Sequence, residues 1–416
     1  MSPEVRRRGL FALACFTLTL PALVLAQPAP PDAPGVKPAT LDGAALAIAY
    51  ECNRCHEGAG LESPAADKAC VGCHAAIHSG RFEAPPEVLA HWQKAVVDLT
   101  AVPSLDASQR LRRSWVRDFL LKPHDLRPNM SASMPRLDLD LAKAEALARW
   151  LVPGEDAELT EKPDPRWLSW PSRGRRIMER TGCMTCHVMT GLEPGISPAS
   201  LPVPLTPAEL ALGTMLAPDL ALVRTRLRED SLVSWLMNPR AMKPSSAMPS
   251  LGLSRTEAED VAAYLLEVPL KPVEARKIPE RLPVLDRRVP FKEVQERVFH
   301  KVCWHCHSEA DLALGDGGPG NTGGFGFAPR GLNLRDYASI TAGSIGPDGS
   351  RRSIFKPLND GPMAGIPRLL AHMLARQVEE TGGVVDGIRG MPLGLPAFSP
   401  EDIQLVESWI VQGRPE

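Results

Sequence analysis

Four copies of one five-residue string constrain this chain more than any other feature. Cys-x-x-Cys-His occurs as CNRCH at 52–56, CVGCH at 70–74, CMTCH at 183–187 and CWHCH at 303–307. With nine Cys and ten His in 416 residues, chance placement would produce the string at about one position in a hundred thousand. The ninth cysteine, Cys15, lies near the start of the chain. Every later cysteine therefore belongs to a motif, and none is left for a structural disulfide.

Two cysteines three positions apart lie within about one helical turn, where both thiols reach the two vinyl groups of one haem. The His that follows then meets the iron. Zinc ribbons also use Cys-x-x-Cys pairs, but they have no need of a His directly after each second Cys. A thioredoxin-like dithiol would want a βαβ context, which no stretch here suggests. The expected cofactors are four covalently bound haem c groups. Their thioether residues are Cys52, Cys55, Cys70, Cys73, Cys183, Cys186, Cys303 and Cys306. Their proximal iron ligands are His56, His74, His187 and His307.

Covalent haem attachment in bacteria takes place outside the cytoplasm, and the N-terminus agrees with that. Arg6, Arg7 and Arg8 precede the apolar run LFALACFTLTLPALVLA, which ends in Val24-Leu25-Ala26 before Gln27. This reads as a secretory signal over 1–26 with a small-residue cleavage site. The run is shorter than the ~20 residues of a membrane span and contains Pro21. The expected location is the periplasm, with no transmembrane span in the mature chain. Residues 27–39, QPAPPDAPGVKPA, read as a solvated tether. Removing 1–26 leaves 44 basic against 48 acidic side chains, which excludes a strongly basic nucleic-acid surface. Aromatic residues make up only 5% of the chain while Pro numbers 42, a poor recipe for an ordinary core. Haems would supply the missing apolar mass.

The motifs sit in repeated surroundings. SMPRLDLDLAKAEALARWL follows the second motif, AMPSLGLSRTEAEDVAAYL the third, and GMPLGLPAFSPEDIQLVESWI the fourth. Each is a Met-Pro followed by an apolar-striped helix. WVRDFLLKPHDLRPNMSASMP parallels LVSWLMNPRAMKPSSAMP, and VPSL at 102–105 parallels APDL at 217–220. A Gly also stands nine positions before the first Cys, at Gly43 and at Gly174. The last unit inserts GDGGPGNTGGFGF after its motif, a stretch expected to be a flexible surface loop. Its formal G-x-G-x-x-G opens no helix after a strand, so a dinucleotide reading fails.

This order resembles class I cytochrome c, a small all-α fold whose first and last helices cross and whose iron is completed by a Met from the loop before the last helix. The resemblance implies three tandem class I cytochrome c-like domains at 40–152, 168–268 and 288–416, the first carrying two haems. Pro-rich connections at VPGEDAELTEKPDPRW and VPLKPVEARKIPERLPVLDRRVP would separate them. It also implies Met248 as distal ligand for the haem on Cys183 and Cys186, Met391 for that on Cys303 and Cys306, and Met134 for one haem of the first unit. Met130 and Met242 read as packing residues. The other haem of the first unit needs a ligand from His78, His91 or His124. The spacing from Cys70 to Met134 favours Met134 on the second haem and His78 on the first, whereas the Gly43 helix ties Met134 to the first.

If every iron has a protein ligand on both faces, what remains is electron transfer. The expected function is a periplasmic tetrahaem relay, free or as a subunit of a respiratory complex. Its protein partners would be a donor such as a quinol-oxidising complex or dehydrogenase and an acceptor such as an oxidase, reductase or smaller cytochrome. The competing expectation is a peroxidase-like or sulfur-oxidising haem enzyme with one open iron.

Overall fold

The structure, a computed structural model, describes residues 41–416 except 97, 125, 131–133, 155–170, 273, 275 and 310–317. The signal, the whole tether and most of the first Pro-rich connection lie outside the described residues. Helices dominate, and the regular strands among the described residues are the antiparallel pair Ser344–Ile345 and Arg351–Arg352.

Several helix starts have a local cause. Asp42 caps Gly43–Ala49 by accepting from the Ala44 N–H, and Asp140 caps Leu141–Leu151 by accepting from the Lys143 N–H. Ser254 and Glu257 form a reciprocal capping box at the start of Arg255–Glu267. These helices cross in pairs at the glycines. A Cβ on Gly43 would lie 2.5 Å from Trp150 Cβ and would overlap the Ala146 carbonyl. A Cβ on Gly174, in helix Pro171–Arg180, would lie 2.5 Å from Tyr264 Cβ and would overlap the Asp260 carbonyl. Both pairs thus bring two backbones together at a residue with no side chain.

The C-terminal pair crosses differently. Phe291–Val294 continues through a π-helical stretch, Gln295–Cys303, into Trp304–Cys306. Val294 stands nine positions before Cys303, where the other units have Gly. Helix Pro400–Val411 therefore packs through Trp409, which is fully buried against Phe291, Phe299, Tyr337 and Phe355. Three apolar clusters result, one around each crossing pair.

The clusters lie within one packed unit, Leu41–Glu416. Leu111 and Leu227 form an antiparallel bridge, with the Arg112 N–H donating to Arg226 O at 2.9 Å and the Arg228 N–H to Arg110 O at 3.1 Å. These segments precede the equivalent helices Arg113–Leu121 and Glu229–Met237. The two repeats thus meet through matching residues, as in a two-fold pair. On the other side, Arg136 pairs with Glu379 at 2.9 Å and Arg389 with Asp138 at 3.0 Å.

The glycine-rich stretch corrects an expectation. Among its described residues, Gly318, Pro319 and Gly323 are buried rather than looped into solvent. A Cβ on Gly318 would lie 2.5 Å from Cys306 Cα, one on Gly320 would overlap the His307 ring, and one on Gly326 would lie 2.6 Å from a Tyr50 ring carbon. The Phe325 N–H donates to Glu51 at 3.1 Å, and Arg54 lies 5.0 Å over the Phe325 ring. Missing side chains let this segment close on the fourth motif and reach across to the first. The second Pro-rich connection is also not a free spacer. Arg281 pairs with Glu407, and the Leu285 N–H donates to Ser408 at 2.9 Å, laying the segment along the final helix.

Candidate haem-binding sites

Cys183, Cys186 and His187 open onto a cavity of about 150 Å³ walled by Met178, Leu205, Leu232, Leu236, Val261 and Leu265. The His187 ring is fixed by its Nδ1, 2.9 Å from Pro218 O. That carbonyl accepts a hydrogen bond from Nδ1–H and leaves Nε2 as a metal donor. Burial holds His187 below the usual imidazole value despite the Pro218 carbonyl, keeping the ring neutral. Met248 lines the same cavity, and its Sδ accepts a hydrogen bond from Trp235 Nε1 at 3.0 Å. The parallel between VPSL and APDL gains a physical reason here, because each supplies the Pro whose carbonyl steers a motif histidine.

A second cavity, about 290 Å³, holds Cys52, Cys55 and His56. His56 Nδ1 lies 2.9 Å from Pro103 O, and burial again lowers its pKa. Met134 and Met130 both line this cavity, so the structure brings Met134 to the first motif rather than to the second. His124 lines it too while remaining exposed, packed edge-on against Phe119 at 5.4 Å. His78 and His91 are exposed and are not in its wall. The preference for His78 as ligand of the first haem therefore has no support in this geometry. Residue spacing could not separate the two pairings, because the inserted second motif shifts every later distance.

Both cavities suit a flat apolar group with an anionic edge. They share Ala101, Arg110, Arg127 and Arg226 in their walls, and Lys243 lines the Cys183 cavity. Burial, with the like charge of Arg127, pushes Arg110 down to about 10. Burial, with Arg110 and Arg127, pushes Arg226 down to about 9. Burial and the same three arginines lower Lys243. Such a cluster calls for anions, and haem propionates carry that charge. Arg110 also lies 5.3 Å over Trp235, while Arg226 lies 5.6 Å over Trp115, so each repeat's arginine covers the other repeat's aromatic.

The second motif lies in helix Cys70–His78 beside the first. The hydrogen bond that the Cys55 thiol donates to the Cys70 sulfur, together with burial, drives Cys55 far above its usual range. Attachment residues of two different motifs thus touch. His74 faces His305 of the fourth motif with ring centroids 6.0 Å apart.

In the fourth motif, burial pushes His307 down to about 4, with the nearby charge of His372 adding to the shift. Its Nδ1 is buried, and the backbone at Leu332 and Gly320 offsets part of that shift. His372, in helix Arg368–Glu380, has its Nδ1 2.7 Å from Arg389 O, the same ring-orienting contact that His56 and His187 make. Met391 is tied to it, its N–H donating to His372 O at 2.9 Å. Sequence reasoning missed His372, whose only signal was a lone His among apolar residues in LLAHMLA.

Among the described residues no helix is long and apolar enough to cross a membrane. No curated protein and no solved structure matches the chain. Residues 171–269, which hold Cys183, Cys186, His187 and Met248, match the cytochrome c family model, so the chain carries a cytochrome c domain with covalently bound haem c, suited to electron transfer.

Proposed function

We propose that the chain is a tetrahaem electron relay acting outside the cytoplasm between redox protein partners. Haem iron supplies the one-electron chemistry when bound. The protein's own residues then do the rest. His56 and Met134 flank one site, and His187 and Met248 flank another. His307 takes its opposite partner from the adjoining His372 and Met391. The second site holds His74. Arg110, Arg127, Arg226 and Lys243 offset the propionates at the edge shared by two cavities.

The observation that carries this reading is the continuity of the sites. The cavity of Cys183 and Cys186 shares wall residues with that of Cys52 and Cys55. Cys55 contacts Cys70, and His74 faces His305. The sites are therefore contiguous, and the unit of the fourth motif meets both the second motif and, through Phe325 and Leu393, the surroundings of the first. Partners would dock at the two ends by complementary charge.

Replacing Cys70 and Cys73 together with Ser removes an interior link. The variant should retain three haems and lose fast electron equilibration between the 303–307 end and the others, read by flash reduction and optical kinetics. Unchanged equilibration in the three-haem variant would contradict a relay through the second motif.

A further inference from the structure

We infer that His305, an extra histidine inside the fourth motif, is the axial ligand opposite His74 for the iron carried by Cys70 and Cys73. The inference rests on the tetrahaem reading and deepens it by assigning a ligand across the joint between the N-terminal and C-terminal units.

The geometry comes first. Two metal–imidazole bonds of about 2 Å each, with two ring radii of roughly 1 Å, put the centroids of trans imidazoles about 6 Å apart. The His74 and His305 centroids are 6.0 Å apart, with their ring planes at 57°. The direction of His305 agrees. It sits in Trp304–Cys306, between the two cysteines. At about 100° per residue it is turned roughly 130° from the face that Cys303 and Cys306 present to their own haem. His305 is exposed on that outer face. It thus faces His74 of the second motif and points away from its own site.

The alternatives fit less well. His78 shares the helix Cys70–His78 with His74, one turn on, so both lie on one side of that haem. The charges of His78 and His74 both act on Asp98, which agrees with their lying together. His91 is exposed on Pro86–Ala95. The third and first motifs have Thr185 and Arg54 where the fourth has His305, and the second has Gly72. Attachment itself therefore does not require a histidine there.

The consequence is a short path between two centres. His305 is bonded through one peptide to Cys306, which holds the next haem, so the joint between the units becomes part of the conducting chain.

The test uses holoprotein with His305→Thr, a residue the third motif already carries at that position. Haem content is measured by intact mass, and the oxidised protein is examined by electron paramagnetic resonance. The expected result is four haems with one in four converted from low spin to high spin. That haem should bind carbon monoxide after reduction and return to low spin with added imidazole. His78→Ala and His91→Ala should leave the spectrum unchanged. Four haems with an unaltered low-spin spectrum in His305→Thr would overturn the assignment alone, as would the same loss in His78→Ala instead. Wild-type protein without haem on Cys70 and Cys73 would overturn the tetrahaem reading before the ligand is reached.

Discussion

Gly174→Ala should destabilise the 171–269 segment by about 2 kcal/mol, because the new methyl has to displace a helix rather than a side chain. Its Cβ would stand 2.5 Å from Tyr264 Cβ and would overlap the Asp260 carbonyl, both on Arg255–Glu267. Alanine alone would favour a helix interior by ~1 kcal/mol over glycine, so a loss measures the clash. That crossing also holds Val261 and Leu265 in the cavity wall opposite Cys183. Denaturant unfolding should therefore show an earlier midpoint at the spectral band of the haem in the 171–269 domain. Gly195→Ala is the control, since a Cβ there meets nothing within 4 Å. Equal stability in both variants would show that the helices do not cross at Gly174.

Arg226→Met should lower the potentials of two haems at once. Arg226 lines both the Cys52 and the Cys183 cavities. A positive charge beside a redox centre disfavours the oxidised, more positive iron, so removing it lowers the potential. At a separation on the order of 10 Å and an effective dielectric of about 20, the interaction is about 1.7 kcal/mol. For one electron that corresponds to roughly 70 mV. Arg226→Lys keeps the charge and should recover most of the shift. Spectroelectrochemical titration should show two of four components moving together. A shift confined to one component would mean that the cationic cluster serves a single haem.

What could be read from sequence and what could not divide along contact range. The Cys-x-x-Cys-His strings announce their chemistry locally, and the cytochrome c domain at 171–269 carries such a string. Its helical class was likewise legible from apolar spacing before and after the motif. Gly43 and Gly174 were visible as a repeated position, but their purpose appears only where two backbones meet. The glycine-rich stretch was misread as a surface loop because its partners, Tyr50, Glu51, Arg54 and His307, are supplied by other parts of the fold. No local pattern reports that a missing Cβ is filled by a ring from elsewhere. Arg110 and Arg226 occupy equivalent positions in two repeats, yet their convergence depends on the Leu111 to Leu227 bridge. Which motifs lie side by side was hidden for the same reason, since that follows from packing between units and not from the order of synthesis.

Intact mass spectrometry of the natively matured protein tests the central claim most directly. The account predicts a chain mass increased by four haems, with peptide mapping placing one on each pair from Cys52 and Cys55 through Cys303 and Cys306. A single haem confined to Cys183 and Cys186 would contradict it, leaving a one-haem cytochrome domain within a larger fold.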